Sequence, residues 1–414
     1  MGARVLEVSF AFWLIACGSS SSGGGENPPA TTAGTSGGGA GGGSATGGGG
    51  ELAGASGSAP SGGGSGGNAL GGSAGSSGSS GSAGANACGA DLAVDIANCG
   101  TCGHACASGT ACAQGQCVAP ILKVVSAIAR DDQYLYAIAS TGFFRMPLSG
   151  GTPESLVASP PSGTTSFGSV LAVDEANAYI AILTSDKLPP NLYSAPKTGG
   201  SFAALATAKI ASDIPHLTAM AGTLYYWQDD QNASDWGIYR VPTAGGVPEL
   251  WEHVAGVTEL GSASDTVVWS IYYGGPVTGL GVYTKASSSA VDLNFNFNLL
   301  PGTALTNGAL AVDASAAYWS TVSGTVSTSP LNGDPASAIG ADASEPSLLA
   351  VDDTDVYYDT CASQACSVKR LAKTGGAATT FANLPAATPK QIVAGEGGVY
   401  VLGFSSDLYR LPLN

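Results

Sequence analysis

Leu171-Ala172-Val173-Asp174, followed by Ala178-Tyr179, then Asn191-Leu192-Tyr193-Ser194-Ala195-Pro196 and Gly199-Gly200, is one copy of a unit that recurs from about residue 122 to the C-terminus. The copies align on a hydrophobic anchor: Tyr136, Tyr179, Tyr225, Val268, Tyr318, Tyr357 and Tyr400. Successive anchors stand about 40–50 residues apart. Ahead of the anchor sits Asp131, Asp174, Asp313 or Asp352, with other residues in the remaining copies. Downstream comes a strand of the type Ile238-Tyr239-Arg240-Val241-Pro242, and in most copies a Gly-Gly turn.

Each copy reads as four short strands. The first is apolar and ends at the Asp, and the second carries the anchor. The third alternates with a two-residue period, and the fourth follows the Gly-Gly hairpin. Four-stranded units of this length with no helical pattern between them predict an all-β fold, a seven-bladed β-propeller. Six or eight blades are the neighbouring counts, because the Val268 copy is worn. Seven regular hairpin pairs count against a β-sandwich. The seventh copy stops at Pro412-Leu413-Asn414, and Ile121-Leu122-Lys123-Val124-Val125 could supply its fourth strand, closing the ring.

An aspartate present once per blade is expected to cap a turn, its carboxylate accepting backbone N–H bonds. Asp131, Asp174, Asp313 and Asp352 are therefore read as scaffold. So are the tyrosine anchors, with Trp227, Trp269 and Trp319 as blade packing.

Four segments follow: 1–17 a leader, 18–87 a linker, 88–117 a cysteine-rich module and 121–414 the propeller. Residues 18–87 are nearly all Gly, Ser, Ala and Thr, with Glu26 and Glu51 as the only charges. Such a segment buries too little apolar surface to offset its ordering entropy, so it is expected to be disordered. As a flexible chain its mean reach is about 45 Å. The formal charge is −16, from 14 Lys plus Arg against 30 Asp plus Glu. That balance, with no basic stripe, argues against nucleic acid.

The leader has a thin positive start at Arg4 and an apolar run, Val8 to Ala16, far short of the ~20 residues that span a bilayer. Its end, Leu14-Ile15-Ala16-Cys17, resembles a bacterial lipobox. The resemblance implies cleavage before Cys17, lipidation of Cys17, and a protein anchored at the cell envelope, on the outer membrane or cell surface. A Gly/Ser tether after the cysteine suits a domain held off a membrane.

Cys88, Cys99, Cys102, Cys106, Cys112 and Cys117 fall within thirty residues. In an exported chain they predict three disulfides of undetermined connectivity. Zinc at Cys99, Cys102 and His104 is the lesser reading, because a second clean CxxC is lacking. Cys361 and Cys366 predict one further disulfide pinning a hairpin loop. The run Asn98-Cys99-Gly100-Thr101-Cys102-Gly103-His104-Ala105-Cys106, ending in Gly115-Gln116-Cys117, resembles a small module of exported myxobacterial proteins. The propeller repeat resembles the bacterial propellers related to TolB and the low-density lipoprotein receptor YWTD type. Those families include protein-binding, sugar-binding and a few lyase members, the last using His and metal ligands.

No catalytic motif appears: no HExxH, Walker loop, dinucleotide fingerprint or GxSxG elbow. The three histidines are His104, His216 and His253. His216 precedes the first strand of the third blade and is placed near a channel mouth. Asp229, Asp230 and Asp235 offer oxygens for Ca²⁺, but they miss the EF-hand spacing, and a solvated loop is the favoured reading. No cofactor is expected. The favoured function is binding or scaffolding, with propeller loops contacting a protein, peptide or glycan. The alternatives are an enzyme acting on extracellular carbohydrate or peptide at the channel mouth, and a structural envelope protein. Two or more ionisable side chains from different blades at the mouth would keep the enzyme reading alive. Specificity is assigned to the loops 183–190, 228–236, 272–280 and 359–366, where the copies differ.

Overall fold

The computed structural model describes residues 88–184, 188–229, 236–273, 279–286, 309–321, 324–331, 335–342, 346–362, 365–385, 388–403 and 405–413. All belong to one unit, Ser77–Asn414. The leader, Cys17 and the Gly/Ser linker lie outside the described residues.

Among the described residues the strands form seven antiparallel sheets. Blade 2 shows the pattern: Leu171–Val173, Asn177–Ile182, Asn191–Pro196 and Ala203–Thr207 pair in sequence order from the inside outward. The second strand is covered on both faces and is apolar almost throughout. The third alternates, and the fourth is largely solvated. The innermost strands are Val125–Arg130, Leu171–Val173, Leu217–Met220, Val257–Ala263, Leu310–Val312, Leu349–Val351 and Pro389–Gly395. Each neighbours the next, and the last returns to the first. That is a closed ring of seven blades around a central lumen. Blade 4, the copy worn at sequence level, is an ordinary hairpin sheet in which Val268 and Trp269 are buried.

Closure uses the expected segment. Leu122 bridges Leu408, with Ile121 N–H donating to the Leu408 carbonyl at 2.7 Å and Leu408 N–H returning to Leu122 at 2.9 Å. The start of the propeller thus meets the last strand of blade 7 through a single bridge at Leu122, short of the fourth strand expected over 121–125, because Val125 already opens the first strand of blade 1.

The Asp before four of the anchors does structural work that the distances make plain. Asp174 accepts backbone N–H bonds from Ala176 and Asn177 with one oxygen, and the Tyr179 hydroxyl with the other at 2.6 Å. Asp131, Asp313 and Asp352 repeat this arrangement with Tyr136, Tyr318 and Tyr357. Two of the four are also bound by the following blade, through Lys197 on Asp131 and Lys373 on Asp313, both at 2.6 Å. Burial works against the Asp313 carboxylate. The Lys373 ammonium and the donors of Ser315 and Ala316 outweigh it, so that its pKa falls to about 2. In blade 7 the pattern is replaced as a set: Gly395 stands for the Asp, Leu148 takes the place of the lysine, and Tyr400 donates to the Leu148 carbonyl. The Gly-Gly turns have the same double role. The first glycine of blade 6, Gly375, takes φ +90°, and an added Cβ would lie 2.9 Å from the Ile339 carbonyl of blade 5.

The cysteine module is continuous with the ring. Its hairpin, Ala111–Ala113 and Gln116–Val118, pairs onto the outer strand of blade 6, Thr379–Leu384, making a six-stranded sheet. Asn383 donates to the Val94 carbonyl, and Tyr409 of blade 7 to Gly109. The disulfides are Cys88–Cys102, Cys99–Cys112 and Cys106–Cys117. The sulfurs of Cys99, Cys106 and Cys117 lie within 4.8 Å of one another, but each is already bonded to sulfur. The zinc alternative loses its ligands for the same reason, and His104 Nδ1 instead faces the Cys99 carbonyl at 2.7 Å.

Candidate functional site

A propeller sheet sends the connections after its second and fourth strands to one face, here the loop face, and its tight turns to the other. The loop face carries three of the four segments assigned to specificity in reduced form. Gln228 belongs to a strand and is fully buried, its amide bonded to Ile210 and Ser212. Tyr272, Tyr273, Gly279 and Leu280 also lie in strands. Cys361 and Cys366 sit in the paired strands Asp355–Ala362 and Ala365–Ala372, not in a loop, and are disulfide-bonded in register. The connections proper are therefore 183–190, 229–236, 274–278 and 363–364. Residues 185–187, 230–235, 274–278 and 363–364 lie outside the described residues. Asp230 and Asp235, two of the three Ca²⁺ candidates, fall among them. Asp229 is half-buried.

The lumen opens on this face into a cavity of ≈ 360 Å³. Its titratable lining side chains are His216, Glu259 and Lys390, from blades 3, 4 and 7. His216 Nδ1 and Glu259 Oε2 are 3.6 Å apart. Lys390 donates to the Ser126 carbonyl of blade 1 at 2.7 Å. Enclosure by the channel walls disfavours the charged forms, holding His216 down at about 4 and Glu259 up at about 8. At neutral pH the pair is therefore a neutral imidazole beside a carboxylic acid, and each group can donate or accept a hydrogen bond.

His216 was legible as a residue near a mouth, whereas Glu259 and Lys390 were not singled out. The signal for them lies in alignment across copies. Four places before the repeat's Asp position stand Ala127, Val170, His216, Glu259, Ala309, Leu348 and Gln391, so His216 and Glu259 occupy one repeat position in adjacent blades. Lys390 has a different origin. Pro389 pairs with Gly403 and Gln391 with Leu402, leaving Lys390 as the extra residue of a β-bulge. The same break occurs at Ser126 in blade 1 and Thr258 in blade 4. Gln391 anchors the bulge by bonding both the N–H and the carbonyl of Ile128.

The opposite mouth is different. Its cavity of ≈ 310 Å³ is lined by Arg130, Asp132, Asp352, Asp353 and Glu396. Arg130 reaches the Val351 carbonyl, and Asp352 is committed to its turn. Between the mouths the lumen holds a further cavity of ≈ 360 Å³, lined by the first strands, with Ala129, Ala172, Ala219 and Gly261 among aliphatic residues such as Leu171 and Ile392.

No protein-family model matches the chain, and no curated protein matches it in sequence. Among solved structures it is similar to YCF48 bound to D1 peptide, at 10% identity over 70% of this chain and 94% of that one, with a TM-score of 0.47. It is similar to the WD40 β-propeller domain of Doa1, at 10% identity over 73% and 96%, TM-score 0.46. A catalytically inactive virginiamycin B lyase from Staphylococcus aureus with quinupristin aligns at 11% identity over 70% and 96%, also TM-score 0.46. At that level of superposition the fold rests on the strand pairing itself.

Proposed function

We propose that this chain is a lipid-anchored extracytoplasmic binding protein that presents the loop face of its propeller to a protein, peptide or glycan partner. One observation carries the binding reading. The strand ends joined by the connections in which the repeats differ lie on one face, the face of a mouth whose described ionisable side chains come from three blades. The rest of each blade is spent on scaffold: the Asp–Tyr turns, the lysines that bridge to the preceding blade and the Gly-Gly contacts. The anchor is supported by Leu14-Ile15-Ala16-Cys17 and the Gly/Ser run that follows. A fatty-acid analogue fed to expressing cells should label the protein, and Cys17→Ser should abolish the label. Labelling that survives the substitution removes the anchor from the account.

The enzyme reading keeps a specific support, since His216 and Glu259 from different blades stand 3.6 Å apart with pKa values moved in opposite directions. Glu259 as acid and His216 as base is the arrangement it requires. Incubation with panels of glycans and peptides decides between them. Binding predicts capture without turnover, and turnover abolished by both His216→Gln and Glu259→Gln would establish the enzyme.

A further inference from the structure

The lysine at the loop-face mouth is placed differently from four other lysines of the ring. Lys197, Lys285, Lys369 and Lys373 each lie 2.6–3.2 Å from a carboxylate. Lys390, an exposed residue that lines the loop-face cavity, instead donates to a backbone carbonyl, that of Ser126, and its ammonium has further N–H donors to give. It stands on a bulge, a device that re-aims one side chain. In blades 1, 2, 4 and 6 the corresponding place holds Ser126, Ser169, Thr258 and Ser347. In a seven-membered ring blade 7 faces blades 3 and 4, so the ammonium lies across the lumen from His216 and Glu259. A cation on one wall therefore confronts a donor–acceptor pair on the other, in a cavity of ≈ 360 Å³. Such a space admits a chain end and excludes a folded surface.

We propose that the loop-face mouth receives the C-terminal carboxylate of a peptide, with Lys390 as its counter-charge and His216 and Glu259 as hydrogen-bond partners of the terminal amide. The inference rests on the loop face being the binding face and names what enters it. A peptide end is favoured over a phosphate or sulfate because a carboxylate followed by an amide needs one cation, then groups that both donate and accept. His216 and Glu259 in their neutral forms are such groups. Burial draws Lys390 down from its usual range, a cost that an incoming carboxylate reverses.

The test uses the full chain and two probes: a pool of fluorescein-labelled tetrapeptides with free C-termini, and the same pool amidated. The free pool should bind at least about tenfold more tightly. Lys390→Gln should erase that difference. Lys390→Arg, which retains the charge, should keep it and so controls for a folding defect. Among the described lining residues only His216, Glu259 and Lys390 titrate. Binding should accordingly weaken as pH rises through about 8, where Glu259 ionises and repels the ligand, and Glu259→Gln should flatten that profile. Equal binding of both pools, or a preference that survives Lys390→Gln, overturns the proposal. Binding of oligogalacturonate with none of either peptide pool overturns it in favour of a glycan. Loss of the peptide preference while a benzophenone side chain placed at exposed position 188 on the loop face still cross-links a partner sinks this inference alone. Loss of the cross-links sinks the binding face as well.

Discussion

At the scale of single residues, the same chemistry serves two ends according to where it sits. Asp313 is held ionised by Lys373, two backbone N–H groups and the Tyr318 hydroxyl. Removing it leaves these donors unpaired, so Asp313→Ala should cost about 2–3 kcal/mol in urea unfolding at neutral pH. The folded pKa, about 2, lies below the usual 3.8. The contribution is therefore fully present above 3.8 and disappears as pH falls through about 2. Glu259 is the opposite case. Its folded pKa of about 8 lies above the usual 4.5, so the folded state keeps a proton that the unfolded chain releases. Stability should then decline as pH rises between those values. Glu259→Gln should raise the melting temperature more above pH ~8 than below pH ~4.5. A uniform gain would show that the site is better hydrated than its surroundings imply. The Asp–Tyr pairs were legible because they repeat in fixed spacing. Glu259 and Lys390 were not, because each looks ordinary until copies are compared at one position, and Lys390 owes its direction to a bulge that only strand pairing defines.

At the scale of elements, the strand order of the blade was legible from periodicity and the Gly-Gly turns, whereas the closing segment was legible only as a contact, a single bridge at Leu122 in place of a strand. The join between the cysteine module and blade 6 was not. Ala111–Ala113 is a three-residue apolar strand, too short to carry a periodic signal. Its partner strand lies almost at the other end of the chain. Disulfide connectivity was likewise invisible, since six cysteines allow fifteen pairings. Closure by 121–125 makes a prediction of its own. Leu122 accepts the Leu408 N–H with its carbonyl, Ile121 donates its N–H to the Leu408 carbonyl, and the two side chains pack against the Val125, Leu402 and Leu408 cluster. Leu122→Asp should lower stability by about 2–3 kcal/mol through the burial of a charge and the loss of apolar contact. Calorimetry should show one lowered transition. An unchanged melting temperature would mean that the ring closes without this segment.

At the scale of the whole molecule, the ring separates scaffold from recognition. One face is made of turns fixed by Asp, Gly and Pro, and the other carries the variable connections and the His216–Glu259–Lys390 mouth. Fold class was readable from composition and repeat alone, while the functional face was readable only in part, because its three ionisable groups stand at positions that differ between copies. The two faces offer well-placed reporters. Leu188, 58% exposed, lies in a blade 2 connection on the loop face, and Val247, 79% exposed, follows the Gly-Gly turn of blade 3 on the other. The decisive measurement is photo-cross-linking in intact cells from a benzophenone side chain placed at one or the other. The account predicts a discrete cross-linked partner from position 188 and none from position 247. A partner captured from 247, or equally from both, would contradict it.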